Sequence, residues 1–220
     1  MSIGKRVDNR LQENLNKFKR RVNICIERGD KENPTEHICF EMLRDLFGYD
    51  DEEIIGQVDI NGDRCDALIK TDGKKRFIFE CKKINEDLEK HVKQLLKYCA
   101  SMRMSWGILS NAQTWQIYYF DLKKSPVQET LVHDIDLCEI RNDSFHRETL
   151  LYPFCKEAQD KDVKEDILLE INVLDERNII KLLLSDSILE ALVKEMRRRF
   201  SFRTDVPEMR GIVRELIEKK

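Results

Sequence analysis

The sequence predicts an α/β fold, with a mixed central sheet flanked by helices and followed by a helical C-terminal extension. Three observations support this prediction. Helical periodicities alternate with short strand-like runs up to about residue 140. Two of these runs are joined by Asp72-Gly73, a dipeptide typical of tight hairpin turns. After about residue 145, only helical periodicities continue.

Composition narrows the class of protein. The chain has 220 residues and a formal net charge of −3, which suits one medium domain with an appendage and gives no global basic field. Seven cysteines without a CxxC pair, and four histidines without zinc-site spacing, argue against a disulfide framework or structural zinc. No apolar run approaches the roughly 18 residues of a membrane span, and no secretory leader is visible. We therefore expect a cytoplasmic protein with no membrane association.

Residues 1–30 are predicted to form an N-terminal amphipathic helix. Apolar side chains recur at helical spacing from residue 5 to residue 28, and Gly29 is a plausible stop. Four basic residues cluster late in this helix: Lys17, Lys19, Arg20 and Arg21. They form either the solvated outer face of a packed helix, which is the simpler interpretation, or a contact to phosphates.

The next helix is predicted to begin at Asn33-Pro34-Thr35-Glu36. Asn33 suits the N-cap and Pro34 the first helical position, while Glu36 falls where the acid of a capping box belongs. Gly48 is expected to end this helix. A strand from Glu53 to Ile60 and an Asn61-Gly62 turn follow.

The central hairpin is the stretch from Asp63 to Lys83, DRCDALIKTDGKKRFIFECKK. Asp66 lies in its first run, and Glu80 and Lys82 lie in its second. Because strand side chains alternate between faces, Glu80 and Lys82 point the same way. Pairing the two runs can therefore bring two acids and a lysine together, an arrangement that suits a divalent metal and a water to be activated.

A second strong helix follows the hairpin, from Asp87 to Arg103. Gln94 and Tyr98 lie along one edge of its apolar face. Further strands are predicted at residues 105–109, 115–120 and 131–140. These elements complete a core over residues 31–144, and residues 145–220 form the helical extension.

Taken together, these motifs resemble the PD-(D/E)xK nuclease superfamily, and in particular the N-terminal nuclease domain of type I restriction enzyme R subunits and its stand-alone relatives. The resemblance covers roughly residues 30 to 122. The matching residues are Glu36 in the first core helix, Asp66 in CDALI, Glu80 and Lys82 in FECKK, and Gln94 with Tyr98 in QLLKY. No proline precedes Asp66, and Ala112 stands where a glycine is usual. The resemblance implies a restriction-endonuclease-like core over residues 31–144.

For mechanism, the resemblance implies metal-dependent phosphodiester hydrolysis. Asp66, Glu80 and the backbone carbonyl of Cys81 are expected to hold Mg²⁺ or Mn²⁺. Lys82 is expected to orient the attacking water or stabilise the transition state. The competing interpretation is that Asp66 and Glu80 are solvated residues of a half-exposed sheet, with Lys82 as their cross-strand partner.

Four further residues are candidates around this centre. Glu36 is expected to assist catalysis through a water or a second metal, although its capping-box position also explains it. Gln94 is expected to help shape the site and Tyr98 to bind substrate, although both also suit the flank of a buried helical stripe. Arg64 is a candidate phosphate contact, and a salt bridge to Asp63 or Asp66 is the alternative.

The leading hypothesis is therefore a metal-dependent endonuclease acting on DNA, in a restriction or anti-phage setting. The chain carries no GxxxxGK[ST] phosphate loop, so if it acts as an R subunit does, a separate motor or specificity subunit is an expected partner; otherwise it is a stand-alone nuclease. One alternative is a non-catalytic module that keeps the nuclease fold and binds nucleic acid or protein. Another is a structural subunit, since the apolar stripes of residues 186–220 suit a homodimer formed through the C-terminal helices.

Overall fold

Six strands form a single mixed sheet in the computed structural model, which describes residues 3–60 and 62–219. The strands are β1 Ile54–Ile60, β2 Asp63–Thr71, β3 Lys74–Cys81, β4 Trp106–Ser110, β5 Thr114–Asp121 and β6 Gln128–Asp136. Their spatial order follows the chain, and all neighbours are antiparallel except β3 and β4. That parallel pair requires a crossover connection, which a helix supplies. The predicted α/β class with a mixed sheet is confirmed.

Eight α-helices are described, and the first two precede the sheet in the chain. The helices are α1 Lys5–Arg28, α2 Glu32–Glu41, α3 Val92–Ser101, α4 Ser144–His146, α5 Val163–Val173, α6 Glu176–Leu183, α7 Asp186–Phe200 and α8 Val206–Glu218. The prediction for α1 is confirmed: its apolar stripe is buried, and Gly29 ends it with a φ of 61°. The predicted helical character of the C-terminal region is also confirmed.

The predicted start of α2 was wrong. Lys31, with extended backbone, precedes the first helical residue, Glu32, so Asn33 is not the N-cap and Glu36 does not complete a capping box. Pro34 is tolerated within the first turn because the N–H groups there have no intrahelical partner. The helix continues as a π-helical turn, Met42–Leu46, and the chain turns at Gly48 with a φ of 85°.

The predicted hairpin is confirmed between β2 and β3. Asp72 and Gly73 both have positive φ, 49° and 72°, as a tight two-residue turn requires. Strand β1 begins one residue later than expected, because Glu53 belongs to a short 3₁₀ turn. Strand β6 begins and ends earlier than the predicted 131–140. The predicted Asn61-Gly62 turn involves Asn61, which lies outside the described residues.

The two faces of the sheet are covered differently. On one face α3, preceded by a 3₁₀ turn at Leu88–His91, buries its apolar stripe against Ile78, Leu109 and Phe120. On the other face, four aromatic rings pack together below α1 and α2: Phe47, Phe79, Trp115 and Phe154. The first of these faces also carries the predicted catalytic strand residues.

The described chain separates into two compact units, one ending at Ile167 and the other beginning at Leu168. The predicted extension from residue 145 therefore spans both units. In the first unit, Arg147 donates to Asp8 of α1 at 2.6 Å. In the second unit, Leu189 and Met209 are buried, and Asp205 caps α8 by accepting the Glu208 N–H at 2.8 Å. None of the described helices combines the length and apolar character needed to span a membrane.

Candidate active site

Strands β2 and β3 place Asp66 opposite Glu80. Their antiparallel register pairs Ala67 with Phe79, so the preceding and following residues face each other across the ladder. The backbone N–H of Cys81 donates to Asp66 Oδ2 at 2.6 Å, and the N–H of Asp66 donates to Glu80 Oε2 at 3.4 Å. Each carboxylate is therefore held by the backbone of the strand that carries the other.

Both carboxyl groups are shielded from water, Glu80 almost completely and Asp66 in part. Glu80 is only 2% exposed, and burial, followed by repulsion from Asp66, raises its pKa to about 7. Burial also raises the pKa of Asp66 to about 6, against the opposing hydrogen bond from Cys81 and with a further contribution from the charge of Glu36. The two carboxylates therefore carry negative charge that is not fully compensated by nearby cations. Because Glu80 is buried, it is not a solvated residue of a half-exposed sheet, as the competing interpretation requires.

Lys82 brings one positive charge to this pair. Its Nζ lies 2.7 Å from Glu80 Oε1 and 3.5 Å from Glu32 Oε1. Burial lowers the pKa of Lys82, but the charge of Glu80, the hydrogen bond to it and the charges of Glu32 and Asp66 together outweigh burial, and the net pKa is raised. The Lys82 N–H donates to the carbonyl of Ser110 at 2.8 Å, which fixes the end of β3 against β4. Lys82 is thus a partner of Glu80 on its own strand rather than across the sheet.

Helix α2 faces the same centre with two acids. The charge of Glu36 contributes to the raised pKa of Asp66, and its Oε1 accepts a hydrogen bond of 3.4 Å from the Gln57 side chain. Glu32 was not singled out from the sequence, although it stands one helical turn before Glu36. With Asn33 as the N-cap, the predicted helix begins at Pro34, two residues after Glu32, so the sequence does not place Glu32 on this helix.

Gln94 and Tyr98 lie on α3 beside the acidic pair. Gln94 Nε2 donates to the Tyr98 hydroxyl at 3.0 Å. Burial raises the pKa of Tyr98, the bond from Gln94 opposes this, and the charge of Glu80 adds to it. Tyr98 also belongs to the buried stripe of α3. Its position therefore fits both a role in binding substrate and a place on the flank of the buried helical stripe.

The remaining basic candidates lie elsewhere. Arg64 is exposed on β2, and Asp63 forms its described ion pair with Lys97 rather than with Arg64. In the basic cluster of α1, Lys17 pairs with Asp45 at 2.8 Å, Lys19 donates to the carbonyl of Ile140 at 2.8 Å, and Arg21 pairs with Glu41. Most of that cluster therefore contributes to packing of the domain.

The donor set fits a hard divalent cation. Two carboxylates that resist ionisation side by side gain from a cation between them, and Mg²⁺ prefers oxygen ligands. Within residues 3–60 and 62–219, no group of three or more His, Cys, Asp or Glu side chains is arranged to hold a metal. The set available here is therefore Asp66, Glu80 and the Cys81 carbonyl, which suits Mg²⁺ because this ion usually keeps several waters.

Comparison with protein families identifies the domain that carries this centre. Residues 31–135, just under half of the chain, match the family described as the type I restriction enzyme R protein N terminus (HSDR_N). The matched range includes Glu36, Asp66, Glu80 and Lys82. No curated protein and no solved structure gives a significant match to the chain. The resemblance predicted from the sequence is therefore confirmed: residues 31–135 are similar to the N terminus of type I restriction enzyme R proteins.

Proposed function

We propose that this protein is a metal-dependent endonuclease that hydrolyses phosphodiester bonds in DNA, in a restriction or anti-phage setting. The observation that carries the proposal is the cluster of buried Glu80 and Lys82 with half-buried Asp66, where two carboxylates and one ammonium meet at the end of β3. A restriction-enzyme family match over the same residues supports the reaction class.

Asp66, Glu80 and the Cys81 carbonyl are the groups that hold Mg²⁺ or Mn²⁺. When bound, the cation lowers the pKa of a water and neutralises charge on the scissile phosphate. Lys82 supplies a positive charge next to the two carboxylates, where it orients the nucleophile and stabilises the charge that develops on the phosphate oxygens. The bonds from the Cys81 and Asp66 N–H groups keep both carboxylates in place, so little reorganisation is needed.

The surrounding residues complete the proposal. Glu36 adds negative charge beside Asp66 and assists through a water or a second cation. Gln94 and Tyr98 form a hydrogen-bonded pair that shapes the wall of the site and contacts substrate. Arg64 is exposed on β2 and available to a phosphate of the DNA backbone.

The proposed setting is the cytoplasm, with DNA as the substrate and a separate motor or specificity subunit as a partner. The family match concerns the N terminus of an R protein, and the chain carries no phosphate-loop motif of its own. Association of two copies through the C-terminal helices remains part of the proposal. Several large apolar side chains of this region are exposed, including Leu192, Phe200 and Leu216.

One observation favours a second function, that of a non-catalytic binding module. Lys82 already neutralises Glu80 at 2.7 Å, so the centre is partly satisfied without a metal. A chain that kept the fold but lost turnover would bind nucleic acid or protein without any dependence on divalent cations.

Cleavage of supercoiled plasmid and linear DNA, with EDTA, Mg²⁺ or Mn²⁺, tests the proposal. We expect nicking or cutting only with a divalent cation, and a loss of about a hundredfold or more in Lys82→Ala. Lys164→Ala is the matched control, since Lys164 is also buried but bonds to Gln159 at 2.9 Å, outside the site. Equal cleavage by wild type and Lys82→Ala would contradict the proposal, and tight DNA binding without cleavage would favour the binding module.

A further inference from the structure

The Lys82 ammonium stands between two carboxylates that differ sharply in exposure. Glu80 Oε1 lies 2.7 Å away and its side chain is 2% exposed, whereas Glu32 Oε1 lies 3.5 Å away and its side chain is 53% exposed. The Lys82 side chain itself is 9% exposed. The ammonium is therefore shielded from water, with Glu80 on its inner side and Glu32 on its outer side.

The inner partner is also a group that the proposed metal site needs. A divalent cation held by Asp66 and Glu80 repels a nearby ammonium and competes with it for the charge of Glu80. A largely buried ammonium that loses its partner is costly unless another acceptor takes it. Among the described residues, Glu32 is the other carboxylate within salt-bridge distance of Lys82.

The start of α2 is fixed to the chain that follows Lys82, which keeps Glu32 within reach. The N–H of Ile84 donates to Thr35 Oγ1 at 3.1 Å, and this hydroxyl donates to the Lys31 carbonyl at 2.9 Å. Glu32 is the first residue of the helix, directly after Lys31. Movement of the flexible Lys82 side chain is therefore enough to exchange one carboxylate for the other.

We propose that Glu32 is a positioning residue for Lys82: when a divalent cation occupies Asp66 and Glu80, the Lys82 ammonium moves from Glu80 to Glu32. The inference rests on the proposed function and deepens it, because Glu32 then keeps the lysine beside the reacting phosphate instead of against the metal ligand. Glu32 acts through Lys82 and does not itself hold the cation.

Calorimetric titration of Mg²⁺ and Mn²⁺ into the full chain tests this exchange without relying on turnover. The proteins are wild type, Glu32→Gln, Lys82→Met and the double variant, each checked for wild-type folding by circular dichroism. Glu32→Gln is expected to weaken metal binding about tenfold. This effect lies between that of losing an exposed ion pair and that of losing a buried one. In the Lys82→Met background the same change is expected to alter binding less than about twofold, since no ammonium needs a second partner.

The control is Glu41→Gln, which removes the same charge from the same helix, where its partner is Arg21. It is expected to leave metal affinity unchanged. An equal loss from Glu32→Gln in both backgrounds would mean that Glu32 acts on the cation directly, and no loss in either would leave it no role; both results overturn the inference. Metal binding with the expected coupling but no DNA cleavage would overturn the nuclease proposal alone. A wild type that binds no divalent cation would contradict both.

Discussion

The carboxyl group of Glu80 occupies a place where ionisation is costly. It is buried, it faces Asp66, and among the described residues Lys82 is the cation at hydrogen-bond distance from it. Proteins retain such groups where their charge is used, and perturbed acids are concentrated at functional sites. Strand alternation and the Asp72-Gly73 turn predict that Asp66, Glu80 and Lys82 meet, and the structure brings these three side chains together.

The raised pKa of Glu80 predicts a specific pH dependence of stability in metal-free protein. Its folded pKa of about 7 lies above its ordinary value of 4.5, so the folded state binds more protons than the unfolded state between these limits. Stability from this group is therefore greatest below about pH 4.5 and is lost as the pH rises through 7. We therefore expect the free energy of unfolding of Glu80→Gln, relative to that of wild type, to increase by about 2 kcal/mol as the pH rises from 5 to 8. Urea unfolding in EDTA measures this difference.

Glu157→Gln serves as the comparison for that experiment. Burial raises the pKa of Glu157, but the hydrogen bond from Arg10 and the accompanying charges outweigh burial and lower it. Glu157 is therefore ionised throughout the range from pH 5 to pH 8, and its substitution should cost a nearly constant amount. A pH-independent difference between wild type and Glu80→Gln would show that Glu80 ionises normally and would contradict the described burial.

Glu32 shows where prediction at the residue scale ends. The Asn33-Pro34 sequence offers a plausible helix start, and local capping preferences alone do not distinguish it from a start two residues earlier. In the structure, the first turn of this helix also contacts a distant part of the chain, because the Ile84 N–H donates to Thr35 Oγ1. Neither this contact nor the approach of Glu32 to Lys82 has a local signature in the sequence.

Among the secondary-structure elements, α1 is joined to the end of the π-helical turn by one side chain. Arg10 donates to the carbonyls of Leu46 and Phe47, each at 3.1 Å, and to both carboxylate oxygens of Glu157 at 2.7 Å. Carbonyls at the end of a helical turn lack intrahelical partners, and Arg10 supplies a donor to both, while the Phe47 carbonyl also accepts the Lys156 N–H at 3.0 Å. Periodicity predicts α1 and the glycine stop, but a bond between residues so far apart in the chain has no local signature.

This arrangement predicts unequal effects for two helix-terminal glycines. Gly29 and Gly48 both have positive φ, 61° and 85°, but a Cβ at Gly29 meets no atom within 4 Å, whereas at Gly48 it would overlap the Arg10 guanidinium. Gly29→Ala should cost about 1 kcal/mol through backbone strain alone. Gly48→Ala should cost about 2 to 3 kcal/mol, because the guanidinium must also give up bonds.

Denaturant unfolding of both variants, in wild-type and Arg10→Ala backgrounds, checks this account. Removing the guanidinium should reduce the cost of Gly48→Ala to about that of Gly29→Ala. Equal costs in the wild-type background would mean that Arg10 moves aside freely and does not fix the end of the turn.

For the whole molecule, the catalytic candidates and their supporting contacts belong to one compact unit that extends beyond the family match. The match ends at residue 135, and the unit continues to Ile167. Phe154 packs against Phe47 and Trp115, at ring-centroid distances of 5.5 and 6.0 Å. The sequence predicted helices after residue 145 but not this packing, because a single aromatic residue in a short segment carries no periodic signal.

Two fragments are predicted to behave differently. Residues 1–174 should unfold cooperatively and keep the sheet, since the ion pairs of Arg147 with Asp8 and of Glu157 with Arg10 are retained. Residues 1–144 should lose cooperative unfolding, because the fragment exposes Trp115 and leaves Asp8 and Arg10 without these partners. Thermal melts followed by near-ultraviolet circular dichroism distinguish the two, and a shorter fragment as stable as the longer one would contradict this division.

The central claim is that Asp66 and Glu80 form a divalent metal centre beside Lys82. The most direct measurement is an anomalous difference map from crystals soaked in Mn²⁺, with Asp66→Asn crystals soaked in parallel. The account predicts a peak in contact with the carboxylates of Asp66 and Glu80 in wild type and a weak or absent peak in the variant. A wild-type map with no peak there, or with its peak at a site unaffected by Asp66→Asn, would contradict the claim.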